Sequence, residues 1–170
     1  MNTNRKEPLS SPEVNPAKSI EAETPARPPI TSPSEDREDE SVYATITIQT
    51  DKKTKTFDIY QDIKEATLDQ HIGHLPSSVA PGEDGLCVLM GHRDRELKIL
   101  QYTKVGDVFT IQKNSSHYRY KVTRIEIQDN DESLSFPVAN GRCLAIVTCY
   151  PFDFLGSAPQ RIIIYAELLY

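Results

Sequence analysis

Three side chains, each at the end of an apolar run, could together perform acyl transfer. Cys149 follows "LAIVT" (Leu144 to Thr148), His92 closes "LCVLMGH" (Leu86 to His92), and Arg161 opens "RIIIYAELLY". A thiolate is a nucleophile, favoured by nearby positive charge. A histidine beside it can balance the thiolate and later protonate a leaving amine. An arginine can donate hydrogen bonds to a developing oxyanion or hold a substrate's carbonyls. Taken singly, each has a bland reading. A free cysteine is usually a small buried hydrophobe, a histidine after glycine can be structural, and a surface arginine is ordinarily solvated or paired. It is the set of three that points to a site.

The spacing narrows the chemistry. Tyr150 and Pro151 break the cysteine strand, and the segment Tyr150 to Gln160 can bring Arg161 back beside Cys149. Twelve positions separate the two, which fits a strand–loop–strand return. A cysteine phosphatase cradles phosphate in a tight C-x5-R loop, and this separation is too long for that. A papain-like protease places cysteine before histidine, on a helix near its N-terminus. Here the order is His, Cys, Arg. His71, His74 and His117 fall in turns or on polar edges and receive no role.

The elements that must position these residues read as β. "VYATITIQ" alternates and is β-branched, and "TKTFDIY" follows a charged turn. "DIKEATLDQHI" has weak helical spacing through Ile63, Ala66, Leu68 and Ile72, and "HLPSSVAPGEDG" is turn material. "LCVLMGH" is a continuous apolar run of strand length, expected for a strand buried on both faces. "GDVFTIQK" and "HYRYKVTRIEIQ" read as a hairpin around "NSS". "DNDESLSFPVANGR" is a long loop, and "CLAIVT" and "RIIIYAELLY" are strands. Seven or eight short strands and at most two brief helices predict a mostly antiparallel β-barrel or sandwich.

The first 41 residues differ. They hold seven of the twelve prolines, none of the seven glycines, and nine acidic residues against five basic ones. Such a segment cannot bury enough apolar surface to offset its ordering entropy. Residues 1–41 are therefore expected to be a disordered, Pro-rich acidic linker, and residues 42–170 a folded domain. The whole chain of 170 residues carries a formal net charge of -6, which argues against a general electrostatic grip on nucleic acid. Three cysteines show no zinc-like spacing and no dense disulfide framework. No run of 18 or more apolar residues and no signal-peptide core is present.

The motifs "GHRD" (91–94), "VTC" (147–149) and "YPFDFLGSAPQR" (ending at Arg161) resemble those of the sortase family. The resemblance covers roughly Val42 to Tyr170 and includes "GHLPSSVAPGEDG" upstream of the histidine strand. "CYPF…GSAP.R" is most similar to the class D branch. The resemblance implies a closed eight-stranded β-barrel with one or two short helices. It implies a cysteine transpeptidase that cleaves an LPxTG-like sorting signal between threonine and glycine. Cys149 would form the thioester, His92 would act as acid/base partner, and Arg161 would position substrate and stabilise the oxyanion. The partners implied are sorting-signal peptides of surface proteins, with an amine of cell-wall precursor or pilin as acceptor. No cofactor and no metal is implied. The place implied is the extracytoplasmic face of the membrane, through an anchor. Met1 is accordingly expected to be an internal start or an artificial boundary, with the anchor upstream.

Departures from the family pattern are local. The usual cysteine strand reads threonine-leucine-x-threonine-cysteine, whereas Ala145 and Ile146 hold the first two positions here. "GHRD" is followed by Arg95, Glu96 and Leu97 rather than small and aromatic residues, which is expected to alter the groove rim. The groove is expected between the strands ending at His92 and Cys149 and the loops 128–142 and 150–160. Thr148, Phe136, Val138, Phe152 and Leu155 are candidate substrate-binding residues, although the loop apolar residues could equally pin the loops to the barrel. Cys143 should share a face with Cys149, Cys87 should face away from His92, and both read as packing residues. A Cys87–Cys143 disulfide is unsupported by sequence. Two other functions use the same residues: a sorting-signal peptidase that ends in water, and a non-catalytic peptide-binding β-barrel.

Overall fold

The computed structural model describes residues 41–131 and 133–170. The linker expected over residues 1–41 lies outside the described residues except for Ser41. The alternating stretch "ATITIQ" forms β1 (Ala44–Gln49), with Ala44, Ile46 and Ile48 buried and the threonines between them turned outward. This is the period-two pattern of a strand with one face on a core. β2 (Thr54–Tyr60) returns antiparallel to it, with Ile46 opposite Phe57 and Thr47 opposite Thr56.

The helical spacing of "DIKEATLDQHI" yields one turn only, α1 (Glu65–Leu68), which buries none of its residues. Ile72 leaves that pattern and enters a short strand, β3 (Ile72–His74), where it is fully buried. Strand pairing holds it there, with Ile72 opposite Ile59 and Gly73 opposite Met90, and glycine fits at 73 because a Cβ would lie 2.2 Å from the Asp62 carbonyl oxygen. His74 is thus a buried strand residue, not a turn residue. Its Nε2 lies 3.0 Å from the Val79 carbonyl and 3.1 Å from Ser78 Oγ, and burial lowers its pKa.

The remaining strands are β4 (Gly85–Met90), β5 (Val108–Lys113), β6 (Ser116–Asp129), β7 (Arg142–Tyr150) and β8 (Gln160–Leu168). A 3-10 helix, Glu96–Tyr102, lies between β4 and β5 and buries Leu97, Ile99 and Leu100. The β5–β6 hairpin forms as expected, with Lys113 opposite Ser116 and Asn114 in the left-handed region at φ 54°. Asparagine tolerates that region better than most residues.

Eight strands close a barrel in the order β1-β2-β3-β4-β7-β8-β6-β5, the ends joined by β1 against β5. The β2–β3 and β4–β7 pairs are parallel and the other pairs antiparallel. The interior holds Ile46, Ile48, Ile59, Ile72, Phe109, Ile111, Tyr120, Leu144 and Ile146, all fully buried. Burying each such side chain contributes roughly 1.5–3 kcal/mol before entropy is charged.

β4, β7 and β8 are neighbours and are apolar on both faces. Their inward residues (Cys87, Leu89, Leu144, Ile146, Ile162 and Ile164) join the barrel interior. Their outward residues (Val88, Ala145, Val147, Ile163 and Tyr165) form a second cluster outside the barrel. Leu134 and Phe136 of the β6–β7 loop pack onto that second cluster. The continuous apolar runs in the sequence therefore have a physical cause: these three of the eight strands are covered on their outside by a loop.

Candidate active site

Strand parity places Cys149 on the outward face. Ala145 and Val147 point into the outer cluster, and Cys149 continues the same alternation at the tip of β7, where it is partly exposed. Arg161 continues the outward set Ile163 and Tyr165 at the base of β8. In the antiparallel register Cys149 lies directly opposite Arg161. Side chains so paired have Cβ atoms about 4.5–5.5 Å apart.

β4 supplies the third member. It runs parallel to β7 with Leu89 beside Ile146 and Met90 beside Val147. Extending that register by two residues brings His92 level with Cys149. Two hydrogen bonds hold the extension in place. Gly91 N–H donates to the Val147 carbonyl at 3.4 Å, and Thr148 Oγ1 donates to the Gly91 carbonyl at 2.7 Å. Gly91 has its own steric reason, since a Cβ there would lie 3.0 Å from Leu97 Cδ1. By backbone register, His92, two residues past β4, thus comes level with Cys149 at the tip of β7, which in turn stands opposite Arg161 of β8.

Further contacts orient the trio. His92 Nε2 lies 3.4 Å from Asp69 Oδ1, just after α1, with the two side chains 40% and 49% exposed. Arg161 donates from Nε to Asn130 Oδ1 at 3.2 Å and from Nη2 to the Asn130 carbonyl at 3.0 Å. Arg93, next to His92, donates from Nη2 to the carbonyls of Phe154 at 2.8 Å and Gly156 at 2.7 Å. It clasps the β7–β8 loop. Neither Asp69 nor Asn130 carries a motif in the sequence, and only contacts between distant segments reveal them.

The candidate groove residues divide. Thr148 is 3% exposed and spends its hydroxyl on Gly91, so it aligns the β4 and β7 tips from within rather than lining a groove. Phe136 packs on the outer cluster beside the site. Phe152 packs into the barrel interior and meets Tyr150 edge-on at 6.0 Å, so it pins its loop. Val138 and Leu155 are almost fully exposed at the tips of the two flanking loops. A cleft of about 400 Å³ at the far end of β7 is lined by Leu86, Val138, Cys143, Tyr165 and others. Among Arg95, Glu96 and Leu97, Leu97 is buried under Gly91 while Arg95 stays exposed, so only part of this segment borders the rim.

All three cysteines are free. Cys87 points into the barrel, where burial pushes its thiol up to about 12. Cys143 is on the outward face, its thiol raised by burial and then by the Glu167 carboxylate. Opposite faces explain why these two do not join.

Thr148→Val is expected to lower unfolding stability by about 1–2 kcal/mol, because the partly buried Gly91 carbonyl loses its hydroxyl donor. Urea unfolding measures it. An unchanged midpoint would mean that this hydrogen bond does not hold the β4 and β7 tips together.

Comparison with known proteins gives one family. Residues 46–169 match the family model described as a sortase domain. Sortase D of Bacillus subtilis (strain 168) is 32% identical over 101 residues, which are 59% of this chain and 51% of that protein. The chain therefore spans about half the length of the curated relative it matches. Sortase C1 from Streptococcus agalactiae superimposes with TM-score 0.64 at 26% identity, covering 73% of this chain and 66% of that one. A Clostridium perfringens sortase D5 transpeptidase gives TM-score 0.63 at 21% identity, covering 75% and 79%. Sortase A from Corynebacterium diphtheriae gives TM-score 0.68 at 23% identity, covering 79% and 63%. The last two likenesses speak for the fold alone.

Proposed function

The chain belongs to the sortase family, and from that premise we propose that residues 42–170 are a cysteine transpeptidase domain acting on an LPxTG-like sorting signal. The observation that carries the reading is the register of Cys149 opposite Arg161, with His92 brought level by the parallel β4–β7 pair.

The steps follow from the groups. The Cys149 thiolate attacks the carbonyl carbon of the signal's threonine, forming a C–S bond and moving the carbonyl π pair onto oxygen. Arg161 donates hydrogen bonds to that oxyanion, whose charge is stronger in the transition state than in the bound peptide. Collapse breaks the C–N bond, and His92 in its charged form gives its proton to the departing glycine amine. A thioester on Cys149 remains. An incoming amine then attacks the same carbonyl, neutral His92 takes the amine's proton, and the thiolate leaves. The acceptor we assign is an amine of cell-wall precursor or pilin, and the setting is the outer face of the cell membrane. The branch we assign is class D, a reading supported by the 32% identity over 101 residues to sortase D of Bacillus subtilis.

The test is product analysis with a fluorogenic LPxTG-type peptide, with and without triglycine or diaminopimelic acid. Amine-coupled peptide is the expected product when the amine is present. Hydrolysis alone, unchanged by either amine, would favour a sorting-signal peptidase. No turnover and no adduct on Cys149 with any motif would leave a peptide-binding barrel.

A further inference from the structure

Asn130, the first residue after β6, ties together three parts of the site. Its backbone N–H donates to the Pro159 carbonyl at 2.9 Å. Its side-chain Nδ2 donates to the Ala158 carbonyl at 2.6 Å. Its Oδ1 accepts from Arg161 Nε at 3.2 Å, and its backbone carbonyl accepts from Arg161 Nη2 at 3.0 Å. One residue thus grips the end of the β7–β8 loop with its donors and the guanidinium with its acceptors.

The geometry of the guanidinium makes this consequential. The group is planar and has five N–H donors in a fixed fork. Asn130 engages it along one edge, through Nε and Nη2. Two contacts along one edge fix the plane and hence the direction of the Nη1 donors. Oxyanion stabilisation depends on donors being already aimed where charge develops. An arginine at a strand base, on a flexible stem, has no such aim by itself.

We propose that Asn130 is a positioning residue for the reaction: from the β6 side of β8 it holds the Nε and Nη2 edge of Arg161, turns the opposite edge of the guanidinium toward the carbonyl oxygen of the acyl group on Cys149, and couples that orientation to the β7–β8 loop. The proposal rests on the transpeptidase reading above. The amide is suited to the task because it offers both an acceptor and a donor on one short, rigid side chain. Alanine removes both. Aspartate keeps an oxygen for Arg161 Nε and loses the donor to Ala158, so the two roles can be separated.

The experiment is a set of variants assayed for thioester formation and transfer on an LPxTG-type peptide. Asn130→Ala is expected to lower kcat about 10-fold with KM changed by less than about 2-fold, since misaimed catalytic groups cost rate rather than binding. Asn130→Asp is expected to keep most of the wild-type kcat. In an Arg161→Ala background, Asn130→Ala should cost no more than about 2-fold further, because the route through Arg161 is already gone. A wild-type kcat for Asn130→Ala, or an Asn130→Asp variant as slow as the alanine, would overturn the proposal. So would full additivity with Arg161→Ala. Solvent exchange of the Arg161 Nε–H by NMR is the readout that does not need activity. Faster exchange in Asn130→Ala than in wild type is expected, and equal exchange would overturn the positioning role. If the wild type forms no adduct while this exchange difference is present, the functional reading fails and the held geometry of Arg161 stands.

Discussion

Cys149→Ala is expected to abolish peptide turnover, by at least about 10⁴-fold, while leaving the fold intact. The loss is large because no other group can take over the nucleophile's place. Cys87 lies inside the barrel with its thiol pushed up to about 12. Cys143 shares the outward face but stands six residues down β7, roughly 20 Å away at strand rise. The fold survives because Cys149 lies beyond the last fully packed turn of β7. Thr148, not Cys149, carries the hydrogen bond that joins the strand tips, and a partly exposed Sγ leaves no closed cavity when removed. Turnover of a fluorogenic peptide and the urea midpoint, measured on the same sample, separate the two effects. Retention of even a hundredth of wild-type activity would assign the nucleophile elsewhere.

Arg161→Ala is expected to lower kcat by roughly 100-fold or more, the usual cost of losing an oxyanion donor. The effect should fall on kcat more than on KM, because the interaction grows as charge develops on the carbonyl oxygen. Arg161→Lys should recover little of it. An ammonium is a point charge and cannot keep the edge-on contact with Asn130 while presenting further donors of the same plane. Stability should change little, since the residue is the second of β8, at the barrel rim, and the apolar anchors of β8 begin at Ile162. Steady-state kinetics on the alanine and lysine variants give the answer. Near-full activity of Arg161→Ala would remove the guanidinium from the mechanism.

The strand-level outline of this fold is written in local patterns. Alternation in "ATITIQ" and the double-faced apolar runs at β4, β7 and β8 are present in the residues themselves. So are the three chemistry-bearing side chains at strand ends. Their meeting is not local. It depends on β4 lying beside β7, parallel, and on β7 pairing with β8 in the one register that sets Cys149 against Arg161. Shifting that register by one residue would turn one of the two to the barrel interior.

Other features are invisible in sequence for related reasons. Ile72 has a place in a weak helical pattern, yet pairing with Ile59 on one side, and of Gly73 with Met90 on the other, puts it in β3. Asp69 and Asn130 are ordinary polar residues in turns, and their value comes from groups twenty-three and thirty-one positions away. The loop apolar residues Phe136, Val138, Phe152 and Leu155 look alike in composition. Only packing separates Phe152 in the interior from Leu155 in solvent. The lesson is that strand ends can be read from one sequence, while the loops that meet above them are decided by contacts.

The most direct test of the central claim is the intact mass of the protein after incubation with an LPxTG-type peptide and no added amine. The expected result is an increase equal to the acyl half of the peptide, located by digestion to the fragment containing Cys149 and removed by triglycine. An unmodified Cys149 while peptide is consumed, or an adduct confined to Cys143 or Cys87, would contradict it.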